Sequence, residues 1–181
     1  MSGKSAKPFQ PLNIAILTIS DTRDLTTDSS GEYLVNAARE YGHQVVERII
    51  VKDDIYQIRA VLSNWIASEH IQAVIATGGT GFTGRDSTPE AVVPLFDKQV
   101  EGFGELFRQI SYRDIATSTI QSRAIAGMAN GVVIFCLPGS TGACKTGWDD
   151  IISKQLDASV RPCNFVAHLK QAATTQCESR G

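Results

Sequence analysis

The chemistry this chain advertises is concentrated in fifteen residues, TGGTGFTGRDSTPEA, running from Thr77 to Ala91. Gly78, Gly79 and Gly81 let successive backbone N–H groups converge on a small anion with no Cβ in the way, and Thr77 and Thr80 add hydroxyl donors. A phosphate fits such a cradle. The next residues read as a helix start: Ser87 or Thr88 as N-cap, Pro89 in the first turn, and Glu90 placed for a capping box. The positive end of that helix would point toward the same anion. Two familiar loops match only in part. Gly79 to Gly84 fits G-x-G-x-x-G, but a dinucleotide fold begins its helix at the third glycine of the first strand unit, whereas Arg85, Asp86 and Ser87 intervene here. The same two glycines have Walker spacing, yet Arg85-Asp86 stands where Lys-[Ser/Thr] is required. Asp86 beside a phosphate cradle is repulsive by itself, and a bound Mg²⁺ would remove the conflict.

Other reactive side chains are sparse. The four cysteines, Cys136, Cys144, Cys163 and Cys177, show no C-x-x-C spacing, and of the three histidines only His168 lies near one of them, which argues against zinc. Cys136, inside VVIFCLP, reads as a small buried hydrophobe. Asp53 in IVKDD stands where a helix N-cap is expected.

The elements that must position these residues follow from apolar periodicity. NIAILTIS reads as a strand buried on both faces, and QVVERIIV, AVIAT and VVIFCLP as further strands. Helical spacing marks residues 31–41, closed by Gly42, and residues 55–66, capped by Asp53 or Asp54. TPEAVVPLFDKQVEGFGELFRQI predicts a short helix, a glycine-marked loop and a second helix; STIQSRAIAGMA predicts another helix, ending in a turn at Asn130-Gly131. The expected fold is therefore α/β, a three-layer sandwich with a mainly parallel sheet and helices on both faces. In such a sheet, the loops holding Ser20-Asp21, Asp53, Thr77–Asp86 and Gly139-Ser140 should share the carboxyl edge, where ligands bind.

Composition sets the outer limits. With 43% apolar and 20% charged residues, 181 residues suit one domain with a sizeable core. A net charge of −2 supplies no global field for nucleic acid or anionic lipid. No window reaches the ~18 apolar residues of a membrane span, and MSGKSAKPFQP lacks the apolar core of a signal peptide, so a cytoplasmic, reduced protein is expected. PLFDKQVEGFGELFRQISYRDI carries Leu95, Phe96, Val100, Phe103, Leu106, Phe107 and Ile110. That is more apolar surface than one crossover needs, and it predicts a homo-oligomer.

Taken together, TGGTGFTGRDSTPEA, the upstream Ile19-Ser20-Asp21, EGFGELFRQIS and LPGS resemble the molybdenum cofactor biosynthesis family of MoaB, Mog and gephyrin G-domain proteins. QSRAIAG, LPGSTGAC and RPCNF look more like its MoaB branch. The resemblance implies a MoaB/Mog-type molybdopterin-binding domain over residues 12–168, between flexible segments at 1–11 and 169–181, assembled as a trimer or dimer of trimers. It implies that the protein binds molybdopterin and adenylylates its phosphate with Mg-ATP, GTP being the other nucleotide considered. By position, Asp86 and Asp53 would be catalytic and hold Mg²⁺. Ser20, Asp21, Thr77, Gly78, Gly79, Thr80, Gly81, Gly139 and Ser140 would bind pterin or nucleotide. Lys52 replaces a proline of the Mog branch. LPG is followed by Ser140-Thr141, where Mog-like members have Asn-Pro or Gln-Pro, which implies the alternative of a non-catalytic molybdopterin or GTP carrier.

Overall fold

The computed structural model describes residues 7–171. Its strands are Asn13–Ile19 (β1), Gln44–Val51 (β2), Ala73–Thr77 (β3), Lys98–Gln99 (β4), Ile125–Ala129 (β5) and Val132–Leu137 (β6). They form one six-stranded sheet in the order β2-β1-β3-β6-β5-β4. β2, β1, β3 and β6 are mutually parallel, so their carboxyl ends lie on one edge, while β5 pairs antiparallel with β6 and β4 antiparallel with β5.

Strict alternation along the central strands separates two cores. Ile14, Ile16, Ile75, Val133 and Phe135 face one side, and Ala15, Leu17, Val74, Ile134 and Cys136 the other. The first face is covered by helix Ser29–Tyr41 (α1) through Leu34, Val35 and Ala38, and by Phe103 and Phe107 of helix Glu101–Ile115 (α4). Trp148, Ile151 and Ile152 join them from a π-helical turn, Trp148–Ile152. Helix Ile55–Ala67 (α2), through Ile58, Leu62 and Trp65, and the short helix Thr88–Val92 (α3) cover the second face. The α/β three-layer sandwich expected from the sequence is present.

Local chemistry sets the helix ends. Asp28 caps α1 by accepting from Gly31 N–H at 2.9 Å, and Gly42 at φ 109° closes it in the left-handed region only glycine adopts freely. Asp54, not Asp53, caps α2, accepting from the Tyr56 and Gln57 amides at 2.9 Å each.

Two segments differ from expectation. STIQSRAIAGMA is not a helix: residues 116–121 form a 3₁₀ turn, and residues 125–129 are β5. Ala-rich composition favoured helix, but pairing with β6 through the left-handed Asn130-Gly131 turn overrides propensity. The glycine-marked loop is likewise replaced by β4 and the first turn of α4, which contains Gly102 and Gly104. The expected flexible segments, 1–11 and 169–181, fall largely outside the described residues, as does Cys177. Of their described parts, Phe9 packs edge-on to Tyr41 at 5.9 Å between ring centroids, and Lys170 N–H donates to Gly131 O at 2.9 Å.

Candidate functional site

A cavity of about 630 Å³ opens at the carboxyl edge, where the loops after β1, β3 and β6 meet α4. Helix Thr141–Gly147 (α5), which continues through the π turn into Ser153–Gln155 (α6), starts at its wall with Ser140 as N-cap. Ser20, Thr77, Gly78, Gly79, Thr80, Gly81, Asp86, Gly139 and Ser140 all line it. Asp21 and Asp53 do not.

Close backbone approach explains the glycines. Gly78 has φ 108°, and a Cβ there would lie 2.1 Å from the Ile19 carbonyl oxygen. Gly139 packs on Gly78 so closely that its own Cβ would sit 3.2 Å from Gly78 Cα. The ends of β1, β3 and β6 can therefore converge only through glycine. Gly79, at φ 62°, corrects one expectation: a Cβ there would meet Asp53 Oδ2 and Thr88 Oγ1, each at 2.4 Å. A side chain at Gly79 would thus point behind the loop, not into an anion's path.

Hydrogen bonds knit the back of the loop. Asp53, 9% exposed, accepts from Ser87 N–H at 3.1 Å and Ser87 Oγ at 2.5 Å. Ser87 is so placed at the N-cap of α3, but its side chain makes no cap bond, and Glu90 pairs with Arg123 instead of completing a capping box. Thr88 donates to Gly78 O at 2.8 Å, and Thr77 to Pro138 O at 2.9 Å. Asp21 sits outside the cavity in a two-pronged ion pair with Arg85, at 3.0 and 2.8 Å, and accepts from Asp53 N–H at 3.2 Å. The Arg85 guanidinium holds the Asp21 carboxyl below its ordinary range.

Asp86 faces the other way, into the cavity. Its carboxylate accepts from the Thr83 hydroxyl at 2.6 Å and the Thr83 amide at 2.8 Å. The Thr83 hydroxyl bond outweighs partial burial and, with the Thr83 and Gly81 amides and the Arg123 charge, keeps Asp86 below the usual carboxylate range. Among the described residues, no group of three or more His, Cys, Asp or Glu side chains could hold a metal ion. Mg²⁺ commonly takes one or two carboxylates together with substrate phosphates, and Asp86 fits that lesser role where Asp53, turned behind Gly79, does not.

Two arginines escaped the sequence reading. Arg123 clasps the outside of the glycine loop, donating to Gly81 O at 2.9 Å and Asp86 O at 3.1 Å with its guanidinium 5.2 Å from the Phe82 ring. Arg23 lines the cavity itself. No spacing rule connects residue 123 to residue 81, and Arg23 lies in a loop without periodicity. What the arrangement can do is hold an extended, phosphate-bearing ligand between oriented dipoles, the Arg23 guanidinium and the carboxylates of Asp86 and Asp114.

Residues 15–158 match the family model described as a probable molybdopterin binding domain. The chain is 57% identical over 163 residues to molybdenum cofactor biosynthesis protein B of Escherichia coli (strain K12), covering 90% of this chain and 96% of that one. A crystal structure of a molybdenum cofactor biosynthesis protein B superposes with a TM-score of 0.79 at 43% identity, over 81% of this chain and 92% of that one. The tungsten cofactor synthesizing protein MoaB of Pyrococcus furiosus superposes with a TM-score of 0.71 at 37% identity, over 78% and 91%.

Proposed function

The chain belongs to the molybdenum cofactor biosynthesis family with its probable molybdopterin binding domain, and on that premise we propose that it binds molybdopterin in the carboxyl-edge cavity and adenylylates its phosphate with Mg-ATP. The observation that carries this reading is that Gly78 and Gly139, packed against each other, and Gly81, against the Asp86 carboxylate, line one cavity at the carboxyl edge. A phosphate attacking the α-phosphorus of ATP brings two polyanions together, so positioning and charge neutralisation do most of the work. Mg²⁺ bound with the nucleotide would supply part of that neutralisation, and Asp86 on the cavity wall would be its carboxylate. No protein nucleophile is needed, in keeping with Cys136 and Cys144, whose thiols burial pushes up to about 12 and about 11.

One observation favours a second reading, a molybdopterin carrier without turnover. Asp53 is spent on Ser87 and lies behind the loop, which leaves Asp86 and Asp114 as the cavity's carboxylates. The deciding measurement is pyrophosphate release from purified protein given molybdopterin and Mg-ATP. Release at enzymatic rates supports the transfer, and tight pterin binding without release supports the carrier.

The proposed protein is also a homo-oligomer, a trimer or dimer of trimers. Phe103 and Phe107 turn into the core, but Leu106, Tyr112, Ile115 and Ile120 stay 43% to 75% exposed on α4 and the turn after it. Ile115 also lines the cavity, so an interface there would adjoin the site. A monomeric mass by light scattering at micromolar concentration would exclude it.

A further inference from the structure

The cavity wall has an uneven charge. Asp86 and Asp114 contribute two carboxylates, and Arg23 is the one basic side chain among its lining residues. The surroundings of Arg23 look built to present it. Ser20 Oγ accepts from the Thr22 and Arg23 amides at 3.3 and 3.1 Å, folding the chain after β1 back so that residue 23 starts at the cavity rim. Arg23 Nη1 donates to Ser30 Oγ at 3.0 Å, and Ser30 Oγ donates to Gly139 O at 2.8 Å. The guanidinium is thereby indexed to the same β6 loop that touches Gly78.

Its natural competitor, Asp28, is already satisfied. That buried carboxylate takes Arg48 Nη2 at 2.9 Å, Thr18 Oγ1 at 2.8 Å and the Gly31 amide at 2.9 Å. Burial would raise the Asp28 carboxyl, but these three partners together hold it below its ordinary range. Arg23 approaches it only to 3.8 Å and remains one third exposed. Arg48 neutralises Asp28, and the charge of Arg23 is left for the cavity.

We propose that Arg23 is the anion anchor of this cavity, gripping a phosphate monoester of the ligand, with Ser20 and Ser30 as its positioning residues. A planar guanidinium forks onto two phosphate oxygens, a geometry that lysine and the neutral hydroxyls of the wall do not reproduce. In a cavity that otherwise carries two carboxylates, this one side chain decides whether a dianionic or a dephosphorylated ligand is preferred. The inference takes only the identity of its probe from the molybdopterin reading. The phosphate can be carried by the pterin or by a nucleotide.

The test is calorimetric binding of molybdopterin, dephosphorylated molybdopterin and Mg-ATP to the parent protein, Arg23→Gln and Arg23→Lys, with melting curves as a fold control. Arg23→Gln should bind the phosphorylated probe about tenfold to a hundredfold more weakly and the dephosphorylated pterin as the parent does. Arg23→Lys should recover part of the loss. Weakening of molybdopterin alone assigns the anchor to the pterin phosphate, weakening of Mg-ATP alone assigns it to the nucleotide, and either supports the proposal. Parent-like affinity of Arg23→Gln for every phosphorylated probe overturns it. If the parent binds none of the three, the molybdopterin reading fails, and titration with inorganic phosphate, followed at the ¹⁵N Nε resonance of Arg23, decides the anchor separately. A saturable shift supports it and an unmoved resonance refutes it.

Discussion

The two edges of the sheet are built to opposite specifications. At the amino edge every chain entry is stapled. Leu12 N–H donates to His43 Nδ1 at 3.2 Å, and the Gln72 amide accepts from Asn13 N–H at 3.1 Å and donates to Lys170 O at 3.0 Å. Over the seam Tyr41 stacks on His43, with Trp148 edge-on to His43 and Phe9 tilted against it. At the carboxyl edge Gly78 and Gly139 let the strand ends crowd together, and Arg23 and Asp86 line a cavity. One edge thus provides stability that the other can spend on a site.

The largest expected effect comes from the close backbone approach at Gly78. Gly78→Ala places a Cβ 2.1 Å from a backbone oxygen that cannot swing away, at φ 108°. We expect a loss of about 3 kcal/mol or more in urea unfolding. A loss under about 1 kcal/mol would mean that the loop relaxes freely, and the contrast between the edges would fail.

Next comes pH, which probes the amino edge. Burial pushes the His43 imidazole down to about 4, with Asp157 opposing weakly. The unfolded chain takes up this proton near the ordinary 6.5 and the folded chain only near 4, so the stability of the neutral form is complete above 6.5. It should fall by at most about 3 kcal/mol as pH drops through that window. His43→Phe, which cannot titrate, should flatten the slope of unfolding free energy against pH between those limits. An unchanged slope would assign the loss to other groups.

The third effect divides the glycine loop into back and front. Asp53→Ala strips the Ser87 amide and hydroxyl of their acceptor and should cost about 2 kcal/mol. Lost turnover with an unchanged melting temperature would place Asp53 in the chemistry and erase the division.

How much of this was legible beforehand depended on range. The β-branched runs of β1, β3 and β6 and the Asn130-Gly131 turn announce themselves within a few residues. The glycine loop was equally plain, because Gly78, Gly79 and Gly81 have few other uses at a strand end. What stayed hidden was settled by distant partners. β5 is a strand because β6 pairs with it and because Phe96 packs where a Gly127 Cβ would stand, 2.3 Å from its ring. Asp53 and Asp54 are chemically equivalent neighbours, and only the position of Ser87, 34 residues on, shows which one caps α2. Arg23 gained its importance from Arg48 on another strand, which no local pattern reports.

The smallest effect on stability should come from Asp86→Asn, and its smallness is what makes it informative. Asparagine keeps the size of the side chain and an oxygen for the Thr83 amide and hydroxyl, so the turn from Thr83 to Asp86 should survive. The charge adds little in so accessible a position, and we expect a change under about 1 kcal/mol. What remains should appear above the unfolded carboxylate value and vanish as pH falls, since the folded Asp86 carboxyl is held low. Turnover should respond quite differently. If adenylyl transfer occurs here, removing the one negative charge of the loop that faces the cavity should cost several kcal/mol in the transition state and nearly abolish pyrophosphate release. Molybdopterin binding should hold or improve, because a carboxylate beside a phosphate is repulsive. Full activity in Asp86→Asn would remove this residue from the chemistry. A loss of stability as large as that of Asp53→Ala would show that front and back of the loop are one structural unit.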